Sequence, residues 1–410
     1  MRLAFLHFGG AFWQAGNEFV ENMFLALRTL GPDCPTLALV VDQHAPEQDF
    51  SALAASADLL LRAPLRAPVA APLIQWSLRA HFAAWLRARL RKTPARIVPH
   101  PLAEALRQQE IDVLFSLARP ELPTAALPTV VWLPDFQHRR LPENFDAAER
   151  ARRDSLFAMM ARQANRLLVT SEEVRLDLAA FAPDEAGKAR RIPYVASVPP
   201  EIYGQEPSTH LAEYHLPEKF IYLPNQFWKH KNHTVVFEAL GRLRGRDVCP
   251  IIVSTGNPVD FRQSEYFGEL MQLLSRLNIR DQFIYLGQVP RLDVFRLMRQ
   301  SMCVLNPSLF EGLGLSVAES KSIGKRVLVS DLPPLREQDA PGAVYFNPHN
   351  ADDLAAKLES IWTTTAPGPD PHLEAAARAE LPRRQAAFGR ALVQVFAEAQ
   401  ADFQAQASAA

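Results

Sequence analysis

The chain has 410 residues, more than one hydrophobic core usually holds, so two domains are expected. Apolar residues at 48% and charged residues at 22% describe an ordinary globular protein, and 44 Lys+Arg against 45 Asp+Glu leave a net charge of −1, which argues against a bulk nucleic-acid binder. Cys34, Cys249 and Cys303 are too scattered for a metal spacing or a disulfide framework, which suits a reducing cytoplasm, and no metal is expected because no D-x-D pair sits in a suitable loop and cationic side chains with a helix dipole can supply the charge stabilisation. The opening residues read as a strand rather than a signal peptide, and no uncharged apolar run reaches membrane-spanning length.

The first half alternates strands with helices. Leu3–Phe8 reads as a strand, Asn17–Leu30 as a helix ended by Gly31-Pro32, and Thr36–Val41 as the next strand. Asp58–Leu61, Val113–Ser116, Thr129–Leu133 and Leu167–Thr170 continue the series. Apolar runs separated by helices predict a parallel sheet covered on both faces. Gly9 and Gly10 follow the first strand, at the sheet edge where such folds bind ligands. They either let the backbone approach a phosphate or sugar, or make an ordinary tight turn. No G-x-G-x-x-G follows that strand, so a dinucleotide fingerprint is absent.

Pro72–Pro94 is the most basic stretch, with Arg79, Arg87, Arg89, Arg91 and Lys92 beside Trp76, Phe82 and Trp85. It reads either as a helix resting on an anionic membrane surface (Trp76 to Lys92) or as a packed helix at the edge of the domain, since Arg89 interrupts its apolar face. Trp132–Pro142 then leaves a strand end carrying Asp135, Gln137 and His138, with Arg139 and Arg140 either holding an anion or solvated. Glu143–Ala164 is helical, and Ser171 caps the following helix.

Proline-rich residues 192–216 form the linker, with the boundary near residue 200. Beyond it strands are expected at Phe220–Leu223, Ile251–Ser254, Phe283–Leu286, Met302–Leu305, Arg326–Val329 and Val344–Phe346, with helices between them: a second doubly wound unit. Asn225, Lys229 and Lys231 lie in a loop that opens a helix and can neutralise a diphosphate leaving group, or else form a solvated basic turn. Gly256 and Gly287 sit at two further strand ends. The Ala-rich tail from Leu373 is one long helix.

The organising stretch is Val304–Ser320, VLNPSLFEGLGLSVAES. A strand feeds a turn bearing Gly312, Leu313 and Gly314, and then a helix N-terminus, where free backbone N–H groups and the dipole favour a phosphate. Glu311 and Glu319 bracket the turn with seven residues between them. Nothing in that spacing forces them together across one bond as in a glycosidase, so they read as hydroxyl acceptors at two ends of a ligand. Glu319 has an alternative, a capping box with Ser316.

The words PSLFEGLGLSVAES resemble the E-x7-E signature of retaining nucleotide-sugar glycosyltransferases of family 4. The resemblance implies the GT-B fold: two Rossmann-like doubly wound α/β domains facing across a cleft, here 1–200 on the acceptor side and 201–375 for the nucleotide sugar, with 376–410 a last helix crossing back to the first. It implies that Glu319 accepts the ribose hydroxyls, that Lys231 and the helix N-terminus hold the diphosphate, and that Glu311 with the N–H groups of Gly312 to Gly314 grips the sugar. His138 would reach the donor sugar from the first domain, and the loop at Gly287 would face the base. Where the family places an Arg, Asn225 or Gln226 stands, with Lys229 nearby. Retention without a dedicated nucleophile, no cofactor beyond the donor, and a glycan or lipid-linked acceptor of bacterial surface polysaccharide also follow from the resemblance. The competing readings are a GT-B epimerase or phosphorylase, or a non-catalytic sugar-nucleotide or glycan binder.

Overall fold

A computed structural model describes residues 1–7, 14–63, 65, 101–117, 126–204, 212–246 and 248–409. Gly9, Gly10 and the basic stretch 72–94 lie outside the described residues. Among those described, no helix is long and apolar enough to cross a membrane.

The first domain holds strands β1 (Arg2–Leu6), β2 (Thr36–Asp42), β3 (Leu59–Ala63), β4 (Val113–Leu117), β5 (Thr129–Trp132), β6 (Arg166–Val169) and β7 (Ala189–Arg191). They pair in the order β3-β2-β1-β4-β5-β6-β7, every pair parallel. Its helices include α1 (Gln14–Arg28), α2 (Ser51–Ala54), α3 (Pro101–Gln108), α4 (Gln137–Arg140), α5 (Ala147–Gln163) and α6 (Glu172–Phe181). Ser171 accepts from the Val174 N–H and caps α6. Leu37–Val41 is apolar at every position and fully covered, because a parallel strand buries both faces under crossover helices.

The second domain holds β8 (Ile221–Pro224), β9 (Ile252–Thr255), β10 (Phe283–Tyr285), β11 (Val304–Asn306), β12 (Val327–Ser330) and β13 (Val344–Phe346), in the parallel order β10-β9-β8-β11-β12-β13. Between them run α7 (His233–Leu243), α8 (Tyr266–Leu277), α9 (Arg291–Gln300), α10 (Leu315–Ile323) and α11 (Pro333–Glu337); α12 (Ala351–Thr364) and α13 (Pro371–Ala409) follow. In both sheets the strand order reverses beside the first strand, and doubly wound sheets bind ligands at such a switch point. The sequence pattern does not show β7 or α11. β7 has three residues, two of them arginine, at a sheet edge, and α11 is a single turn opened by two prolines.

α13 starts in the second domain and ends in the core of the first. Phe388, Leu392, Val395, Phe396 and Ala399 join Phe5, Phe24 and Phe115 in one buried cluster. Phe396 meets Phe5 edge-on at 5.8 Å. Phe396→Ala is expected to cost about 3–5 kcal/mol, most of it from the cavity left in that cluster. Calorimetry of the full chain checks this, and a melting curve unchanged from the parent would contradict the packing role.

Candidate functional site

The loop from β11 into α10 faces the first domain. Gly312 lies against the Pro134 carbonyl, and a Cβ added there would stand 2.9 Å from the Asp135 Cβ. Only a residue without a side chain allows that approach. The Thr170 hydroxyl donates to the Gly312 carbonyl at 3.4 Å, and Leu313 packs on the core of the first domain. Further along the boundary Arg262 donates to Gln137 Oε1 at 2.9 Å, and Glu337 accepts from the Glu172 N–H at 2.7 Å. The two domains are therefore closed on each other along the described part of the cleft. The bend from Phe310 to Ser320 faces the other lobe but is largely covered, with Glu311 at 8% and Glu319 at 3% exposure.

Three donors converge on one oxygen of Glu311. Lys231 Nζ and the Ser308 hydroxyl each reach Oε1 at 2.7 Å, and Asn306 Nδ2 reaches it at 3.1 Å. Among the described residues Oε2 takes no hydrogen bond, which leaves it as an acceptor. Lys231 comes from the turn between β8 and α7, and Asn306 and Ser308 from the end of β11, so two strand ends build the group. Asp135 approaches from the first domain; burial pushes its carboxyl up and nearby Glu311 adds to the shift, against Gln137 N–H, Arg153 and His138. Asp135 also accepts from the Gln137 N–H at 2.8 Å.

α10 begins at Leu315, with Gly314 in the left-handed region (φ 82°) as its N-cap. Ser316 is thus inside the helix, where its hydroxyl accepts from Asn306, and the capping-box alternative for Glu319 falls away. Glu319 instead pairs with Arg291, the first residue of α9, which also lies 3.5 Å from Glu18 of α1. Burial opposes the Arg291 charge, but Glu319 and Glu18 outweigh it and hold the guanidinium firmly protonated. Sequence reasoning missed Arg291. The signal was present, since a cation at a helix N-terminus opposes the dipole and needs an anionic partner. Arg262, Asn306 and Ser308 were missed too, because nothing in their local pattern points into the cleft.

The His138 side chain is buried. It is covered by Phe136, Phe145 and Phe157, and Nε2 bonds Asp154 Oδ1 at 3.0 Å. Burial lowers its pKa despite Asp154, so the ring is neutral and donates to that carboxylate. Arg139 and Arg140 pair with Asp154 and Asp177, which gives both a structural partner.

Lys229 is exposed at the rim, its backbone N–H on Asp260 at 3.3 Å. Asn225 is buried, and its Nδ2 has no hydrogen-bond partner. Gly256 packs on the Asn225 carbonyl and donates its N–H to the Gly287 carbonyl at 2.9 Å, so the loops that carry these three residues meet. Among the described residues no His, Cys, Asp or Glu group is arranged to hold a metal ion.

His233, the first residue of α7, stacks on Phe227 at 4.2 Å with neither ring nitrogen paired, and burial lowers its pKa to about 3. The unfolded chain, with a His pKa near 6.5, takes up this proton first. Stability is therefore complete above about pH 6.5 and falls towards pH 3, by roughly 1.4 kcal/mol per pH unit for this one group. Urea midpoints should drop between pH 7 and pH 5, and His233→Phe should flatten the slope. An unchanged slope would remove His233 as the cause.

Residues 212–375 match the family model for glycosyl transferases group 1. The second domain belongs to that family. A curated relative, the O-antigen chain mannosyltransferase RfbU of Salmonella typhimurium, is 25% identical over 135 residues, covering 33% of this chain and 36% of its own length. The chain thus aligns with about a third of that relative. Two solved structures extend the likeness over both domains. A glycosyltransferase from Rickettsia africae superposes with a TM-score of 0.64 at 17% identity, covering 97% of this chain and 98% of its own. Alr3699/HepE from Anabaena, solved with UDP and glucose, gives 0.64 at 16%, covering 96% and 98%. At such identities the likeness shows the fold, which is GT-B.

Proposed function

We propose that the chain is a retaining glycosyltransferase that moves a sugar from a nucleotide diphosphate sugar to a glycan or lipid-linked acceptor in surface polysaccharide synthesis. The observation that carries this reading is Glu311, with one oxygen fixed by Lys231, Ser308 and Asn306 and the other free beside the N-terminus of α10. A carboxylate held in that way is a preorganised acceptor for a sugar hydroxyl, and a cation with a helix N-terminus suits the diphosphate leaving group. The family match of the second domain and the UDP and glucose in the Anabaena structure support a nucleotide-sugar donor. The named role of the Salmonella relative supports a surface-glycan acceptor.

Glu319 accepts the ribose in this reading, through the oxygen that Arg291 leaves free, and Asn225 offers its unpaired donor to the phosphates. Because the described cleft is closed, the donor enters by domain opening, and the Gly312 contact on Pro134 re-forms over it. Acceptor attack occurs on the leaving-group face, the departing phosphate takes the acceptor proton, and no cofactor takes part. In this reading the enzyme works in the cytoplasm.

Thermal-shift screening with UDP-, GDP-, ADP- and dTDP-sugars tests the reading. A donor raises the melting temperature by mass action, and the same donor then labels an acceptor. Conversion of the free sugar nucleotide without acceptor would instead mark an epimerase. No shift with any of them would sink the donor assignment.

A further inference from the structure

α11 and the residue after it pack directly on the glycine turn that opens α10. A Cβ added at Gly314 would run into Leu335 Cδ2 and stand 3.2 Å from Gln338 Nε2. Gln338 turns its side-chain amide onto this turn, where Nε2 donates to the Leu313 carbonyl and, at 2.9 Å, to the Gly314 carbonyl. The backbone carbonyl of Gln338 in turn accepts from Lys321 Nζ of α10. Its neighbour Glu337 takes the Glu172 N–H and pairs with Arg191, both in the first domain. Gln338 is thus held between α10 and the domain boundary.

The two carbonyls differ in what else they bond. That of Gly314 already accepts from the Val317 and Ala318 N–H groups of α10. That of Leu313 has Gln338 as its one partner among the described residues. In a trans peptide the N–H points away from the preceding carbonyl, so a grip on Leu313 fixes the direction of the Gly314 N–H on the far side of the plane. Among the described residues no hydrogen bond takes the N–H of Gly314 or of Leu315. Gly312 and Gly314 flank that peptide, and glycine lets a peptide plane turn over at little steric cost. The turn therefore needs an outside group to choose one orientation, and Gln338 is placed to do so.

We propose that Gln338 is a positioning residue, which aims the Gly314 N–H at the distal phosphate of the donor without touching the donor itself. The inference rests on the transferase reading. In that reading Glu311 holds the sugar and Glu319 the ribose, so the turn between them meets the phosphate that carries the sugar. Charge gathers on that phosphate as the glycosidic bond breaks, and an N–H already aimed at it needs no reorganisation at that moment.

Calorimetric titration of the full chain with UDP, GDP, ADP and dTDP, and with the matching monophosphates, tests it. Gln338→Met removes the donor at similar volume, and Gln338→Asn keeps an amide that is one methylene too short to reach. Each variant should bind the diphosphate about tenfold more weakly, and should bind the monophosphate and melt as the parent does. Variants equal to the parent on the diphosphate would overturn the proposal, and so would an equal loss on both nucleotides, which a general disturbance of the cleft produces. A parent that binds none of the four removes the transferase reading and this inference with it. A parent that binds one of them, beside variants that match it, removes this inference alone.

Discussion

Glu311→Gln should lower turnover by roughly 100-fold while leaving nucleotide affinity within a few-fold of the parent. The side-chain amide keeps its oxygen as an acceptor for Lys231, Ser308 and Asn306, so the local hydrogen bonds survive. What changes is the second position, where a carboxylate oxygen becomes an NH₂ donor and turns from accepting a sugar hydroxyl to opposing it. The conservative variant matters here. Glu311→Ala would leave Lys231 without its partner at a largely buried position, with a stability loss of about 3 kcal/mol that would blur the kinetics. The measurement is kcat and nucleotide Kd side by side. A fall in affinity that accounts for all of the lost activity would move Glu311 from the reacting sugar to the nucleotide.

Glu319→Gln should show the reverse pattern, with donor nucleotide bound some 10–100-fold more weakly and turnover at saturating donor little changed. Hydrogen bonds to a charged group are worth about 1.5–3 kcal/mol, and each 1.4 kcal/mol is tenfold in Kd. The fold should tolerate the change, because Arg291 keeps Glu18 as a counterion at 3.5 Å. Calorimetric titration with the donor nucleotide gives the answer. Unchanged affinity would count against the ribose contact and leave Glu319 as a structural partner of Arg291.

Much of the site was legible along the chain because local rules produce it. A strand end, two glycines and a helix start place Glu311 and Gly314 whatever surrounds them, and Lys231 sits in a turn that the pattern also shows. Ser171 caps α6 as the sequence implies. The surroundings of His138 were not legible in the same way. Its position at a strand end is right, but Phe136, Phe145, Phe157 and Asp154 lie on different turns of chain, and their convergence decides where the ring points.

The amino-acid sequence by itself determined the two α/β halves and the glycine turn that opens α10, because apolar periodicity, glycine and helix polarity act over a few residues. Only the tertiary structure decided that Glu319 faces Arg291 rather than Ser316, that three donors meet on one oxygen of Glu311, and that Gly312 touches Pro134. Those contacts join residues far apart in the chain, and their partners are chosen by packing and by the need to pair buried charge.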